Sequence, residues 1–208
     1  METRKLIISG YYGFGNSGDE AVLWSVLQAL EEAGAQNGIP LQPVVLSADP
    51  AHTSRLYGVE AVSRTSVRAV LDAVRGADGL ISGGGSLLQD VTGPKTIPYY
   101  LGLIRLAQLY GKPTFIYAQG IGPVRRPLLR SMVGRVLRKC TYVSVRDPAS
   151  ADLLAQLGLG REYIEVVPDP VVGAPGPERA HRADDDGKPP LVGVSVRFWN
   201  SDHSELRA

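Results

Sequence analysis

Residues 10–20 read Gly-Tyr-Tyr-Gly-Phe-Gly-Asn-Ser-Gly-Asp-Glu and lie between an apolar run, KLIIS, and a helical pattern, AVLWSVLQALEEAG. A glycine-rich turn in that position presents bare backbone N–H groups at the start of a helix, where the dipole is positive and no Cβ blocks approach. The chemistry on offer is the binding of a phosphate, a carboxylate or a sugar face by Gly13, Gly15, Asn16 and Gly18. Gly13, Gly15 and Gly18 also spell GxGxxG, the dinucleotide fingerprint. That fingerprint asks for an acid about 20 positions on to hold a ribose, and the one available, Asp49, lies later than that. Asp19 and Glu20 follow the last glycine directly; they suit the helix dipole but repel a pyrophosphate laid on the same amides. A nicotinamide-dependent oxidoreductase and a tight turn with no ligand both stay open as alternatives.

Two more glycine loops follow strand patterns. DGLISGGGSLLQD (78–90) enters Gly83, Gly84 and Gly85, and KPTFIYAQGIGP (112–123) enters Gln119, Gly120, Ile121, Gly122 and Pro123. In an open parallel sheet such loops leave the carboxyl ends of their strands, and ligands sit in the crevice outside that edge. Three glycine loops on one edge point to a binding cleft far more strongly than one does.

These segments, together with SVRD (144–147) and PDPV (168–171), resemble the polysaccharide pyruvyl transferases, most closely the CsaB type that pyruvylates a secondary cell-wall polymer. The resemblance runs from Leu6 to about Val172 and resumes at LVGVSVRFW (191–199). It implies a GT-B-like enzyme of two Rossmann-like halves that moves the enolpyruvyl group of phosphoenolpyruvate onto two sugar hydroxyls, giving a pyruvate ketal. No other cofactor and no metal is implied. The acceptor is a wall polymer or its lipid-linked precursor, with N-acetylmannosamine as the expected sugar. The donor is a trianion, and a planar arginine fork suits its carboxylate and phosphate. Arg146, in SVRD at the end of a strand, is the expected fork, with Arg197 in SVRFW a second candidate and an Arg146–Asp147 contact the structural alternative. Asp19, Glu20 and Asp90 are the carboxylates expected near the cleft, with Asp19 as the catalytic choice. Gly84, Gly85, Asn16, Gln119 and Gly120 are expected to contact substrate. Tyr99 and Tyr100 read first as core packing and second as a sugar-stacking pair. None of His52, His181 and His203 is expected to be catalytic, because the family's protonating histidine belongs to the second half.

The elements that must carry these residues alternate along the chain. Strands are predicted near 5–10, 42–48, 59–63, 78–83, 113–118, 141–145 and 163–167, and helices near 19–34, 51–57, 66–76, 98–111, 127–139 and 148–157. That alternation is a doubly wound parallel α/β sheet, Rossmann-like. Gly34, Gly111 and Gly158 are the predicted C-caps of three helices. Residues 1–172 form the expected N-terminal domain, 173–190 (rich in Pro, Gly and charge) a linker, and 191–208 the start of a second domain that is almost absent. The chain alone is accordingly expected to be inactive.

Composition sets the outer limits. A formal charge of +1 excludes a strongly basic nucleic-acid binder, and one cysteine, Cys140, excludes an internal disulfide and reads as a small core residue at a helix end. No apolar run is long enough for a signal peptide or a membrane span, so the expected location is the cytoplasm. VRRPLLRSMVGRVLRK (124–139) carries six cations and no acid on a helical apolar period. It reads as a solvated basic face or, more sharply, as a peripheral contact with anionic lipid at the inner face of the cell membrane. A nucleotide-sugar glycosyltransferase and a non-catalytic binding role are the remaining alternatives.

Overall fold

The computed structural model describes residues 2–91, 93 and 95–173. Within them the strands β1 (Arg4–Tyr12), β2 (Leu41–Ser47), β3 (Glu60–Ser63), β4 (Gly79–Gly83), β5 (Thr114–Gln119), β6 (Tyr142–Val145) and β7 (Glu165–Val166) form one parallel sheet in the order β3-β2-β1-β4-β5-β6-β7. The order reverses between β1 and β4, which places the topological switch point at the carboxyl ends of those two strands.

The central strands read as continuous apolar runs because helices cover both of their faces. Successive side chains point to opposite faces, so Ile7, Val44 and Leu80 enter one core while their neighbours Ile8, Val45 and Ile81 enter the other. The first core is closed by Val70 and Val74 of α3 (Val67–Gly76), Ile104 of α4 (Thr96–Leu109), Val133 of α5 (Pro127–Leu137) and Leu154 of α6 (Pro148–Gln156). The second is closed by Leu23 and Val26 of α1 (Ser17–Asn37), beside α2 (Pro50–Tyr57). Cys140, half-buried beyond the end of α5, packs against the first core, and burial pushes its thiol up to about 11.

Helix starts are set by short polar side chains. Asn16, Asp49, Ser66 and Asp147 each accept a hydrogen bond from an amide in the first turn of α1, α2, α3 and α6. Asp49, the acid that a dinucleotide site would have needed, is thus the cap of α2, holding the His52 amide at 3.0 Å. Gly111 and Gly158 adopt the left-handed conformation after α4 and α6 as expected. Gly34 does not: α1 runs through it to Asn37, and Gly38 at φ 64° closes the helix. Gly34 is needed for space, since a Cβ there would lie 2.9 Å from the Ile39 carbonyl oxygen, which the returning chain brings against the helix.

Two helix glycines should therefore respond oppositely to alanine. Gly102→Ala in α4, where a Cβ meets nothing within 4 Å, should stabilise the fold by about 0.5–1 kcal/mol from helix propensity. Gly34→Ala should lower the urea midpoint despite the same gain in propensity; a rise in that midpoint would mean the Ile39 turn yields freely.

Candidate active site

The loops at the carboxyl ends of β1, β4, β5 and β6 form one edge, but two of the glycine loops are occupied largely with each other. Gly120 N–H donates to the Gly85 carbonyl (3.0 Å), Gly122 N–H to that of Leu88 (2.8 Å), and the Asp90 amide to that of Pro123 (3.2 Å). Ser150 Oγ takes the Ile121 amide at 2.8 Å. The loop after β5 is therefore a parallel extension of the sheet, and its amides are not free to hold an anion.

What the bare backbone allows is the close approach of side chains. A Cβ on Gly120 would lie 2.6 Å from Ser86 Oγ and 3.0 Å from Arg146 Nε. A Cβ on Gly85 would lie 2.9 Å from Asp19 Oδ1, and one on Gly84 would lie 2.2 Å from Val22 Cγ1. Gly84 and Gly85 also have positive φ, at 77° and 63°, which glycine adopts without steric cost. The glycines thus draw α1 and the end of β6 together over the edge.

Arg146 is the centre of that approach. Its Nη1 donates to Asp169 Oδ2 at 2.8 Å and its Nη2 to Ser86 Oγ at 3.0 Å, and its backbone amide donates to the Gln119 carbonyl. Asp169 Oδ1 accepts the Val171 amide (3.2 Å), which holds the carboxylate in turn. The guanidinium keeps N–H groups beyond these two bonds, and its side chain is 32% exposed. A cavity of about 360 Å³ opens beside it, walled by Asn16, Gly18 and Asp19 on one side and by Gly85, Arg146 and Asp169 on the other. Asp147, the alternative partner for Arg146, faces Ser150 instead, accepting from its amide at 2.7 Å and its hydroxyl at 2.8 Å.

Asp19 stands in the first turn of α1, and no hydrogen bond reaches its carboxylate among the described residues. Burial pushes this carboxyl above its usual range, the adjacent Glu20 adds to the rise, and Arg146 partly offsets it. A carboxylate that is raised, unpaired and facing a cleft next to an arginine has the character of a proton acceptor.

The other carboxylates are structural. Glu20 Oε1 accepts the Gly13 amide (2.9 Å) and Oε2 the Tyr57 hydroxyl (2.8 Å), so it pins the first glycine loop to α2. Gly18 N–H in turn donates to Asn16 Oδ1 (3.1 Å). Two amides of the GxGxxG turn are hence taken internally, one by a carboxylate, and a pyrophosphate laid there would displace them; Gly15, at φ 70°, is open on its Cβ side. Asp90 does not line the cavity: its carboxylate accepts the amides of Arg125 and Arg126 at 3.0–3.1 Å ahead of α5. Desolvation works against its ionised form, but those amides and charges outweigh it and hold Asp90 below the usual range.

Gln119 is fully buried at the end of β5, and neither end of its side-chain amide has a partner among the described residues. It follows Ala118, at φ 46°, across an irregularity in the β5–β6 register. Its carbonyl positions Arg146, while its side chain lies off the cavity wall. His52 is exposed on α2. Tyr100 is buried in the core at 2% exposure, with Tyr99 edge-on to it. Arg197, His181 and His203 lie outside the described residues, as does the linker beyond Gly173. Ser86 and Asp169 lie within the DGLISGGGSLLQD and PDPV segments, but nothing in the local sequence marks either as a partner of Arg146. A concavity of about 860 Å³ between Leu137, Tyr142, Leu159 and Tyr163, whose walls also carry Arg138, Glu162 and Glu165, is lined by none of the candidate site residues.

Among solved structures the chain is similar to Anabaena HepE in complex with UDP and glucose, at 10% identity and a TM-score of 0.52, over 80% of this chain and 44% of HepE. It is similar also to UDP-GlcNAc 2-epimerase from Neisseria meningitidis bound to UDP-GlcNAc, at 12% identity and a TM-score of 0.50, over 81% and 47% of the two chains. The fold is thus a Rossmann-like α/β half of GT-B type, and the chain spans less than half the length of either neighbour. No curated protein sequence matches it. The polysaccharide pyruvyl transferase profile matches residues 16–206, and the chain belongs to that family.

Because the raised Asp19 favours the protonated form in the fold, its contribution to stability is present at low pH and is lost as pH rises through the raised value. Asp19→Asn should therefore raise Tm at pH 7, and the gain should shrink as pH falls toward the ordinary Asp value. A variant that is less stable than the parent at pH 7 would show that the ionised carboxylate is held by favourable contacts.

Proposed function

We propose that this domain supplies one wall of a polysaccharide pyruvyl transferase site, with Arg146 binding the anionic donor phosphoenolpyruvate and Asp19 receiving a proton from an acceptor sugar. The observation that carries this reading is the juxtaposition of a braced, partly free guanidinium with an unpaired carboxylate of raised pKa on one cavity, in a chain of this family. Protonation of the enol at C3 places positive charge on C2, which one acceptor hydroxyl attacks. A second hydroxyl then displaces the phosphate, closing the ketal. Of the two hydroxyl protons, one balances that taken up at C3 and the other leaves with hydrogen phosphate.

Each residue has a distinct part in that sequence. Asp169 and Ser86 fix the plane of the Arg146 guanidinium, so its remaining N–H groups meet the donor without the entropy loss of ordering a free side chain. Asp19, raised toward neutrality by burial, accepts the hydroxyl proton more readily than an exposed carboxylate does. The C3 proton must come from another group, since the one described histidine, His52, is exposed on α2. The proposed acceptor is an N-acetylmannosamine-bearing wall polymer or its lipid-linked precursor, as for the CsaB type.

The test is phosphate release from phosphoenolpyruvate by the full-length enzyme with a disaccharide of N-acetylmannosamine and N-acetylglucosamine. Arg146→Lys keeps the charge but loses the fork, and should cost about 2 kcal/mol in kcat/KM for the donor. Wild-type kinetics in that variant would make Arg146 structural, and turnover of a UDP-sugar in place of phosphoenolpyruvate would favour a glycosyltransferase.

The same reading places the enzyme at the inner face of the cytoplasmic membrane, through α5. Its apolar side, Leu129, Val133 and Leu137, is buried, while Arg126, Leu128 (73% exposed), Arg135 and Lys139 face out. Among the described residues Arg125, Arg126, Arg135 and Lys139 make no ion pair. No described helix is long and apolar enough to cross a membrane. The protein should co-sediment with phosphatidylserine vesicles at low salt and lose that binding as salt brings the Debye length below about 8 Å. Arg125→Gln, Arg126→Gln and Arg135→Gln together should abolish the difference from neutral vesicles; unchanged sedimentation would leave α5 as a solvated face.

A further inference from the structure

Beside the cavity, on the same edge, lies a cluster that the chemistry above does not use. Tyr11 and Phe14 stack face to face, with centroids 4.0 Å apart and planes at 9°, yet they are 40% and 48% exposed. Two aromatic rings held flat against each other in water are unusual unless something orders them. Arg64, the residue after β3, does so: its Cζ lies 5.1 Å from the Phe14 centroid and 5.9 Å from that of Tyr11.

Arg64 is itself fixed from behind. Its Nη1 donates to the Gly10 carbonyl (3.1 Å) and its Nη2 to the Tyr100 hydroxyl (3.2 Å), while the Tyr99 hydroxyl donates to the Arg64 carbonyl (3.0 Å). Its Cζ stands 4.7 Å from the Tyr99 ring and 5.5 Å from the Tyr100 ring. It has no acidic partner among the described residues. The packed tyrosine pair of α4 thus anchors Arg64, and Arg64 braces the exposed pair. The polar rim is in place as well. The Tyr11 hydroxyl donates no hydrogen bond among the described residues, and neither does the side-chain amide of Asn16, which is two residues from Phe14 and lines the cavity.

A flat apolar face with hydrogen-bonding groups at its edge matches a pyranose ring, which offers C–H groups on one face and hydroxyls around its rim. We infer that the Tyr11–Phe14 pair is a carbohydrate-stacking subsite for the acceptor glycan, with Arg64 as its positioning residue. The inference rests on the pyruvyl-transfer reading of the neighbouring cavity, and it assigns the acceptor side where Arg146 was assigned the donor side.

The test uses the full-length enzyme and the disaccharide of N-acetylmannosamine and N-acetylglucosamine. Both rings are on the surface, so Tyr11→Ala/Phe14→Ala should fold normally. It should raise the acceptor KM about tenfold, on the scale of one aromatic stacking contact, with the phosphoenolpyruvate KM unchanged. Phe14→Trp should retain wild-type acceptor KM, and Arg64→Met should raise that KM while leaving the donor KM alone. An unchanged acceptor KM in the double variant overturns the subsite while leaving the donor reading intact. Should the enzyme show no pyruvyl transfer, calorimetric titration of the disaccharide into the parent and the double variant decides separately. Binding lost in the variant supports the subsite; equal binding, or displacement of the disaccharide by uridine diphosphate with no effect of the mutations, overturns it.

Discussion

The pairing of Arg146 with Asp169 and Ser86 is the contact around which this edge of the sheet is organised. An arginine that enters a partly buried crevice must satisfy its donors, or the desolvation of its charge goes uncompensated. Here a carboxylate from beyond β7 and a hydroxyl from the loop after β4 each take one nitrogen, and neither saturates the guanidinium. For that to happen three strand ends must meet within a hydrogen bond's length. The bare backbone at Gly120 and Gly85 permits it, since a methyl group at either position would collide with Ser86, Arg146 or Asp19.

This changes how glycine-rich loops on such an edge should be understood. In a phosphate-binding loop the glycines expose amides to a ligand. In this protein the amides of Gly13, Gly18, Gly120 and Gly122 are bonded to Glu20, Asn16, Gly85 and Leu88. The glycines serve the approach of side chains. The same economy of space explains Asp19: it is crowded against Gly85 and beside Glu20, and burial, with no hydrogen-bonding partner among the described residues, raises its pKa.

The edge also divides by chemistry along its length. Arg146, Asp19 and Asp169 concentrate charge at the cavity, while Arg64 gathers the rings of Tyr11, Phe14, Tyr99 and Tyr100 around a cation with no acidic partner among the described residues. One region is lined by ionisable side chains and the other by aromatic rings. The end of β1 and the loop after it contribute to both, with Tyr11 and Phe14 in the second and Asn16 in the first, so this segment sets their separation.

The alternation of strands and helices, the three glycine loops and the place of Arg146 at a strand end were all legible in the residues, because period, capping and turn chemistry depend on neighbours within a turn or a pleat. Local pattern could not tell that Gly34 sits inside α1, since its reason is the Ile39 carbonyl of a returning chain. Nor could it sort the carboxylates: Asp19, Glu20 and Asp90 look alike in sequence, and only packing shows that Glu20 holds Gly13 and Tyr57, that Asp90 holds the start of α5, and that Asp19 is left facing the cavity. Ser86 and Asp169 meet Arg146 across 60 and 23 residues of chain. Such partners are chosen by the order and register of parallel strands, a property of the whole sheet that no single segment encodes.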